Sequence, residues 1–218
     1  MVTSMSIRLP ASARREQLLE VALQVFARQG YHGASMNDVA DAAGVTKPVV
    51  YQHFDSKRDL YLALLDAVGE RLLTAIYTAT AGATSGKHVT ELGFQAYFRW
   101  VAHDHDAFLL LFGGGGKADD EFNDAVRKVT AQVAESIKPL IAADIDPEHQ
   151  RTLAHALVGI AEGASRRLVD NGTDFDPDLL ARQVSDMAWA GLRAVSRPPT
   201  AAGSNPDSPR RIRRASTR

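Results

Sequence analysis

Between Ser35 and Lys57 the chain reads SMNDVADAAGVTKPVVYQHFDSK, and these residue types suit a nucleic-acid reader better than a catalyst. Two short segments with apolar faces flank Gly44, a residue that accepts a left-handed turn at no steric cost. Small Ala40 stands four residues before that turn and apolar Val50 six after it. A helix-turn-helix needs this arrangement: a small residue where the helices cross and a buried anchor on the second helix. Val50 and Phe54 lie four apart and share the core face. Lys47, Val49, Gln52 and His53 are then left on other faces, available to a DNA groove.

Other constellations carry less. His103-Asp104-His105-Asp106 has metal-ligand types, but residues i and i+2 of a helix point to different faces and do not converge on one ion. It reads as a polar helix end, and no metal site or cofactor is expected. Gly113–Gly116 lacks the Lys-Ser/Thr of a phosphate loop and follows no strand, so it reads as a connector. Glu162 and Arg166 fit an i,i+4 surface pair. No Ser/His/Asp set stands out.

The elements that must position the Ser35–Lys57 segment are helical. The 218 residues are 45% apolar and 23% charged, enough for a sizeable core. Cysteine is absent, which excludes disulfide scaffolds, thiolate zinc sites and thiol nucleophiles. No apolar run approaches a membrane span of ~18 residues, and Met1–Pro10 lacks a signal core, so a cytoplasmic protein is expected. Leu18, Ala22, Val25 and Phe26 stripe a first helix over residues 12–28, with Gly30 as its stop. Ser35 with Asp38, Thr46 with Pro48, and Ser56 with Asp59 start three further helices. Residues 81–86 form a connector. Helices are then predicted over 89–103 and 106–112, over 119–142 with a disruption at Pro139, from Pro147 to Asn171-Gly172, and from Pro177 onward. Residues 198–218, rich in Pro, Ser and Arg, read as a disordered tail whose arginines can brush DNA phosphates.

The segment Val45-Thr46-Lys47-Pro48-Val49-Val50-Tyr51-Gln52-His53-Phe54, followed by Ser56-Lys57 and Leu60, resembles the recognition helix and fourth-helix start of the tetracycline-repressor (TetR) family. The likeness spans about residues 12–65 and implies an all-α protein of about nine helices: a flexible N-terminus (1–11), a helix-turn-helix domain (12–57), a ligand-binding and dimerisation domain (58–197) and the tail (198–218). It implies a sequence-specific, ligand-responsive DNA-binding regulator, a repressor on a palindromic operator, and no enzyme. By position it assigns Thr46, Tyr51, His53 and Lys57 to DNA phosphates, for which each carries a donor. It assigns Asn37, Lys47, Pro48, Val49 and Gln52 to bases. Gln52 can pair bidentately with adenine, Lys47 can reach guanine, and Val49 can pack on a thymine methyl. Taken singly, Tyr51 would also fit a core and His53 an ordinary surface.

Residues 1–60 hold seven Lys/Arg against six Asp/Glu, and residues 61–197 hold thirteen against nineteen, so the body is the acidic part. Two roles are expected of it. One is homodimerisation, because symmetric half-sites stand ~34–36 Å apart. Gly159 with Gly163, and Ala188 with Gly191 and Leu192, offer smooth strips for a second copy. The other is effector binding. Aromatics crowd residues 94–112, and Phe94, Phe98, Val101 and Phe112 are expected to join Leu72, Val129, Val133 and His155 around a cavity for an apolar or aromatic molecule. A filled core competes with that cavity, and Trp189 fits either the cavity or the dimer contact. A helical enzyme or a protein-interaction scaffold with a vestigial helix-turn-helix head is the alternative to the regulator.

Overall fold

The apolar stripe at Leu18, Ala22, Val25 and Phe26 becomes the buried face of α1 (Ala11–Gly33) in the computed structural model, which describes residues 10–112, 120–141, 143–170 and 174–195. Gly30 is the expected stop. It adopts φ 68°, breaks the helix, and lets a last turn run on to Gly33, closed by the Ala34 N–H on the Gly30 carbonyl at 3.2 Å. A side chain at 30 would be strained in that left-handed backbone.

Ser35 caps α2 (Met36–Ala42) through a complete capping box. Its hydroxyl oxygen accepts the Asp38 N–H at 3.2 Å, and the Asp38 carboxylate accepts the Ser35 N–H at 2.8 Å. The Ser35 hydroxyl also donates to Asp38 Oδ2 at 2.6 Å, and this bond, ahead of the one from the Ser35 N–H, holds the Asp38 carboxyl below its ordinary pKa. Gly44, at φ 64°, makes the turn into α3 (Lys47–Tyr51), which Pro48 starts at no hydrogen-bonding cost. Ser56 caps α4 (Lys57–Thr80), accepting the Asp59 N–H at 3.0 Å.

Ser85 caps α5 (Gly86–His103) in the same way, so this helix begins three residues earlier than the periodicity predicts. Asp104 ends it and turns the chain into α6 (His105–Phe112). No cluster of three or more metal-ligating side chains occurs among the described residues. α7 (Asp120–Ile137) gives way to a 3₁₀ turn at Lys138–Leu140, the disruption expected of Pro139, and stops short of residue 142. α8 (Pro147–Asp170) and α9 (Pro177–Val195) complete nine α-helices, with no strand, among the described residues. The glycine run at 113–116 and the tail at 198–218 lie outside the described residues.

α1, α2 and α3 form a small head around Leu18, Ala22, Val39, Val50 and Phe54, all at most 1% exposed. α4 runs from the head into the body, where α5 packs against α9 and against α4, and α7 against α4 and α8. α1 also rests on α6. Phe122 of α7 sits in an aromatic nest with Tyr31 of α1 and Tyr61 of α4, ring centroids 4.4 and 4.6 Å away. Arg71 of α4 ties Glu20 of α1 (2.9 Å) to Asp104 (3.7 Å). None of these helices is long and apolar enough to cross a membrane.

Candidate nucleic-acid interface and effector cavity

The turn at Gly44 is closed by the Ala43 N–H on Val39 O and the Val45 N–H on Ala40 O, both 3.0 Å. Val50 is fully buried and Phe54 nearly so, with the Arg15 guanidinium 4.8 Å above the Phe54 ring. These anchors fix the rotation of α3 about its axis. Asn37, Thr46, Lys47, Pro48, Tyr51 and Gln52 are exposed, and Val49 and His53 are half-buried. Tyr51 is 43% exposed and therefore no core aromatic. Lys47 places its ammonium 5.8 Å from the Tyr51 ring centre. The Thr46 hydroxyl makes no cap bond. The exposed and half-buried residues in and around α2 and α3 thus present an ammonium, two amides, two hydroxyls and an imidazole, the groups with which proteins bind phosphates and base edges.

Lys57 departs from its expected place. Its ammonium turns inward and donates to the carbonyl oxygens of Tyr31 and Ala34, both at 2.8 Å, while lying 4.4 Å from the Tyr31 ring centre. Two of its three N–H groups are engaged in closing the α1–α2 corner, so its first role is to brace the head.

An apolar cavity opens among α4, α5, α7, α8 and α9, with room for about 100 Å³ of guest inside about 960 Å³ of atom-free space that includes the open mouth. Leu72, Phe94, Phe112, Val129 and Val133 line it as expected. Phe98 and Val101 do not: both are at most 1% exposed and serve as packed core further along the same helix, with the Phe98 ring 6.0 Å from that of Phe94. His155 is also misplaced. It is exposed and faces a second cleft between α6, α7 and α8. Trp189 belongs to the cavity wall. Sequence reasoning missed Ile76 and Thr80, which continue the Leu72 stripe at i+4 and i+8, and Tyr97, Leu157 and Ala161. Among the described residues the cavity wall holds no charged side chain. The hydroxyls of Thr80, Thr90 and Thr130 each donate to a carbonyl of their own helix, on Ile76, Gly86 and Val126, at 2.9 Å.

Gly159, Gly163 and Gly191 are exposed, and a Cβ built on any of them meets nothing within 4 Å. Exposed Met187 (57%) and Leu179 (46%) accompany them on α9. Ala188 and Leu192 are buried within the chain, and Leu192 lines the cavity, so neither is free for a second copy. One turn of α9 presents small residues on two faces, and only one of those faces is outward.

A family model described as bacterial regulatory proteins of the tetR family matches residues 18–64, and a tetracyclin repressor-like C-terminal domain matches residues 87–191. The transcriptional activator FasR of Mycolicibacterium smegmatis is 33% identical over 190 residues, 86% of this chain and 87% of the relative. The chain belongs to the TetR family. The repressor KstR2 of Mycobacterium tuberculosis is 27% identical across 84% of this chain and 81% of its own. A TetR-like regulator from Rhodococcus sp. RHA1 superposes with a TM-score of 0.70 at 25% identity, covering 85% of this chain and 99% of that one. FadR from Bacillus subtilis, solved in complex with stearoyl-CoA, shares the fold with a TM-score of 0.72 at 17% identity, covering 81% and 98%. This TetR-family member is a DNA-binding, ligand-responsive transcriptional regulator and not an enzyme.

Proposed function

We propose that this TetR-family regulator grips a palindromic operator as a homodimer, with α3 of each copy in a major groove, and that an acyl-bearing apolar effector in the cavity releases it. The observation that carries the reading is the outward face of α3, where Lys47, Pro48, Tyr51 and Gln52 stand exposed while Val50 and Phe54 are buried. Gln52, Lys47, Val49 and Pro48, with Asn37 from α2, read base edges. Thr46, Tyr51 and His53 hold phosphates, with the third N–H of Lys57 beside them. The outward strips Gly159/Gly163 and Gly191, with Met187 and Leu179, pair α8 and α9 with those of the second copy. The chain divides near residue 57 into reader and sensor, and a bacterial operator places the protein in the cytoplasm.

A cavity whose described wall carries no charge and whose threonine hydroxyls are spent on their own helices favours a long apolar group. The stearoyl-CoA of the B. subtilis structure supports the acyl class. Release follows if the effector binds the operator-competent dimer less well than the other state. A coupling of about 1–3 kcal/mol changes operator affinity roughly 5–150-fold. Relatives carry both signs of regulation in their names, and the release reading is the repressor arrangement.

The test begins by selecting duplexes from a random pool with purified protein and measuring affinity by fluorescence anisotropy. Gln52→Ala and Tyr51→Ala should weaken the selected duplex at least tenfold while gel filtration still returns a dimer. Unchanged affinity in both variants would remove the reading. Val133→Trp, which fills the cavity, should abolish release by lauroyl-CoA.

A further inference from the structure

The cavity has room for about 100 Å³ of guest, whereas small-molecule sites commonly run to about 300–1000 Å³. A wall has to yield before an alkyl chain can settle inside. Most of the wall is α-helix, held turn on turn by its own backbone ladder. Leu140, Ile141 and Ala143 are the wall residues, among those described, that no α-helix carries. Leu140 and Ile141 belong to the 3₁₀ turn that Pro139 imposes after α7 and to its cap. Hydrogen bonds in such a turn have poorer geometry than those of an α-helix, so this is the weakest stretch of the wall.

The turn also stands at the mouth. Gly86, Val89 and Thr90 in the first turns of α5 are half-buried wall residues, as are Ile137 and Leu140, whereas Leu72, Phe112 and Val129 are buried. α4 leaves the head at Lys57 and ends at Thr80, about 35 Å on, shortly before α5 begins, so the mouth faces away from the head. Two holds pin the turn. Gln150 of α8 donates from Nε2 to the Ile141 carbonyl oxygen at 3.0 Å. Glu135, near the end of α7, pairs with Lys138 of the turn and with Arg151 of α8 at 2.6 Å, and Arg151 also pairs with Glu148. Exposed ion pairs and a single amide bond are weak holds, so the turn can lift and reseat without unfolding the helices on either side.

We propose that the Lys138–Leu140 turn, with Ile141, is a strap across the mouth that sets the rate at which an apolar guest enters and leaves, and that Gln150 and Glu135 are the positioning residues that hold it down. When the Gln150 bond parts, Leu140 and Ile141 lift from the wall and the mouth widens on the side remote from the head. A strap that closes over the empty and the filled cavity alike is a gate: loosening it speeds entry and exit together and leaves the equilibrium where it was. An ordinary wall residue changes affinity instead, mainly through exit. The inference rests on the cavity being the effector site.

The test uses the full-length protein and cis-parinarate, a fatty-acid probe that fluoresces in apolar surroundings, in a stopped-flow experiment. Gln150→Leu and Glu135→Gln should each raise the association and dissociation rate constants at least threefold and leave Kd within twofold. Glu135 is exposed, so its variant decides the matter even if thermal melts show that Gln150→Leu disturbs α8. Unchanged rates in the folded variants, or faster exit with Kd raised in proportion, overturn the strap, and the cavity reading stands as long as Val133→Trp still blocks the probe. If Val133→Trp binds parinarate as the wild type does, or the wild type does not bind it, the cavity reading falls and this inference with it.

Discussion

Gly69 of α4 and Val129 of α7 meet so closely that a Cβ at position 69 would lie 2.7 Å from a Val129 methyl carbon. Val129 also lines the apolar cavity, while α4 runs on into the head. A β-branched side chain in a helix is stiff about χ1, so pressure on Val129 passes to α4 instead of being absorbed by a rotamer change. Gly69→Ala should therefore cost about 1–3 kcal/mol in urea unfolding. Val129→Ala in the same chain should recover part of that loss, and the double-mutant cycle reads the coupling. Additive losses would mean that the two helices do not bear on each other here.

Lys57 and Lys47 separate bracing from DNA binding. Lys57→Met removes a charged donor from two carbonyls and should destabilise the head by about 1.5–3 kcal/mol. Lys47→Ala, at an exposed position, should leave stability unchanged while costing about 1–3 kcal/mol of operator binding and relaxing specificity at the base it reads. A Lys57→Met protein with normal stability and a lowered salt slope of operator binding would return that residue to the phosphates.

Phe98 and Trp189 test the corrected cavity wall. Phe98 is fully buried in the core, and Phe98→Ala should cost about 3–5 kcal/mol in chemical unfolding. Trp189 is half-buried on the wall, and Trp189→Ala should change the chain length of effector preferred while costing less stability. Equal losses in the two variants would contradict the assignment.

Capping and turn chemistry made the head legible from residue types alone. Ser35 with Asp38, Ser56 with Asp59, and Gly44 act over three or four residues, and tertiary packing does not override them. The helical body was legible from periodicity to within a few residues, and Ser85 set the one start that was misplaced. Rotation of each helix about its axis was harder to see. Apolar periodicity marks the inward side of α5 but does not say whether the inside is filled, so Phe94 meets a cavity and Phe98 meets core. α9 carries small or apolar residues on more than one side, and Ala188 went inward while Gly191 stayed out. The inward turn of Lys57 depends on carbonyls left free at a break in α1, 26 and 23 residues away, which no local pattern announces.

Acid should loosen the molecule in a defined window. Asp38, Asp146 and Asp178 are held below their usual 3.8 and Glu135 below its usual 4.5. The chief causes are the Ser35 hydroxyl, the His149 N–H, the Arg99 guanidinium and Lys138, respectively. A carboxyl whose pKa is lower folded than unfolded contributes stability above the unfolded value and loses it as pH falls through the folded one. Thermal midpoints should stay flat for these groups above about pH 5 and decline as pH drops through 4.5 and below 3.8. Asp178→Asn removes the clip that joins α9 to Arg99 of α5 at 2.7 Å, and it should flatten part of that decline. An acid limb identical to the wild type would show that the clip contributes nothing.

The three threonines that turn their hydroxyls onto Ile76, Gly86 and Val126 offer whatever fills the cavity no directional handle of their own. Such a chamber works as a ruler: it gauges length and girth, at ~0.8 kcal/mol per buried methylene. Neighbouring homologues would then differ only a few-fold in potency, and the promoter would respond in graded fashion to a pool of related lipids instead of to one metabolite.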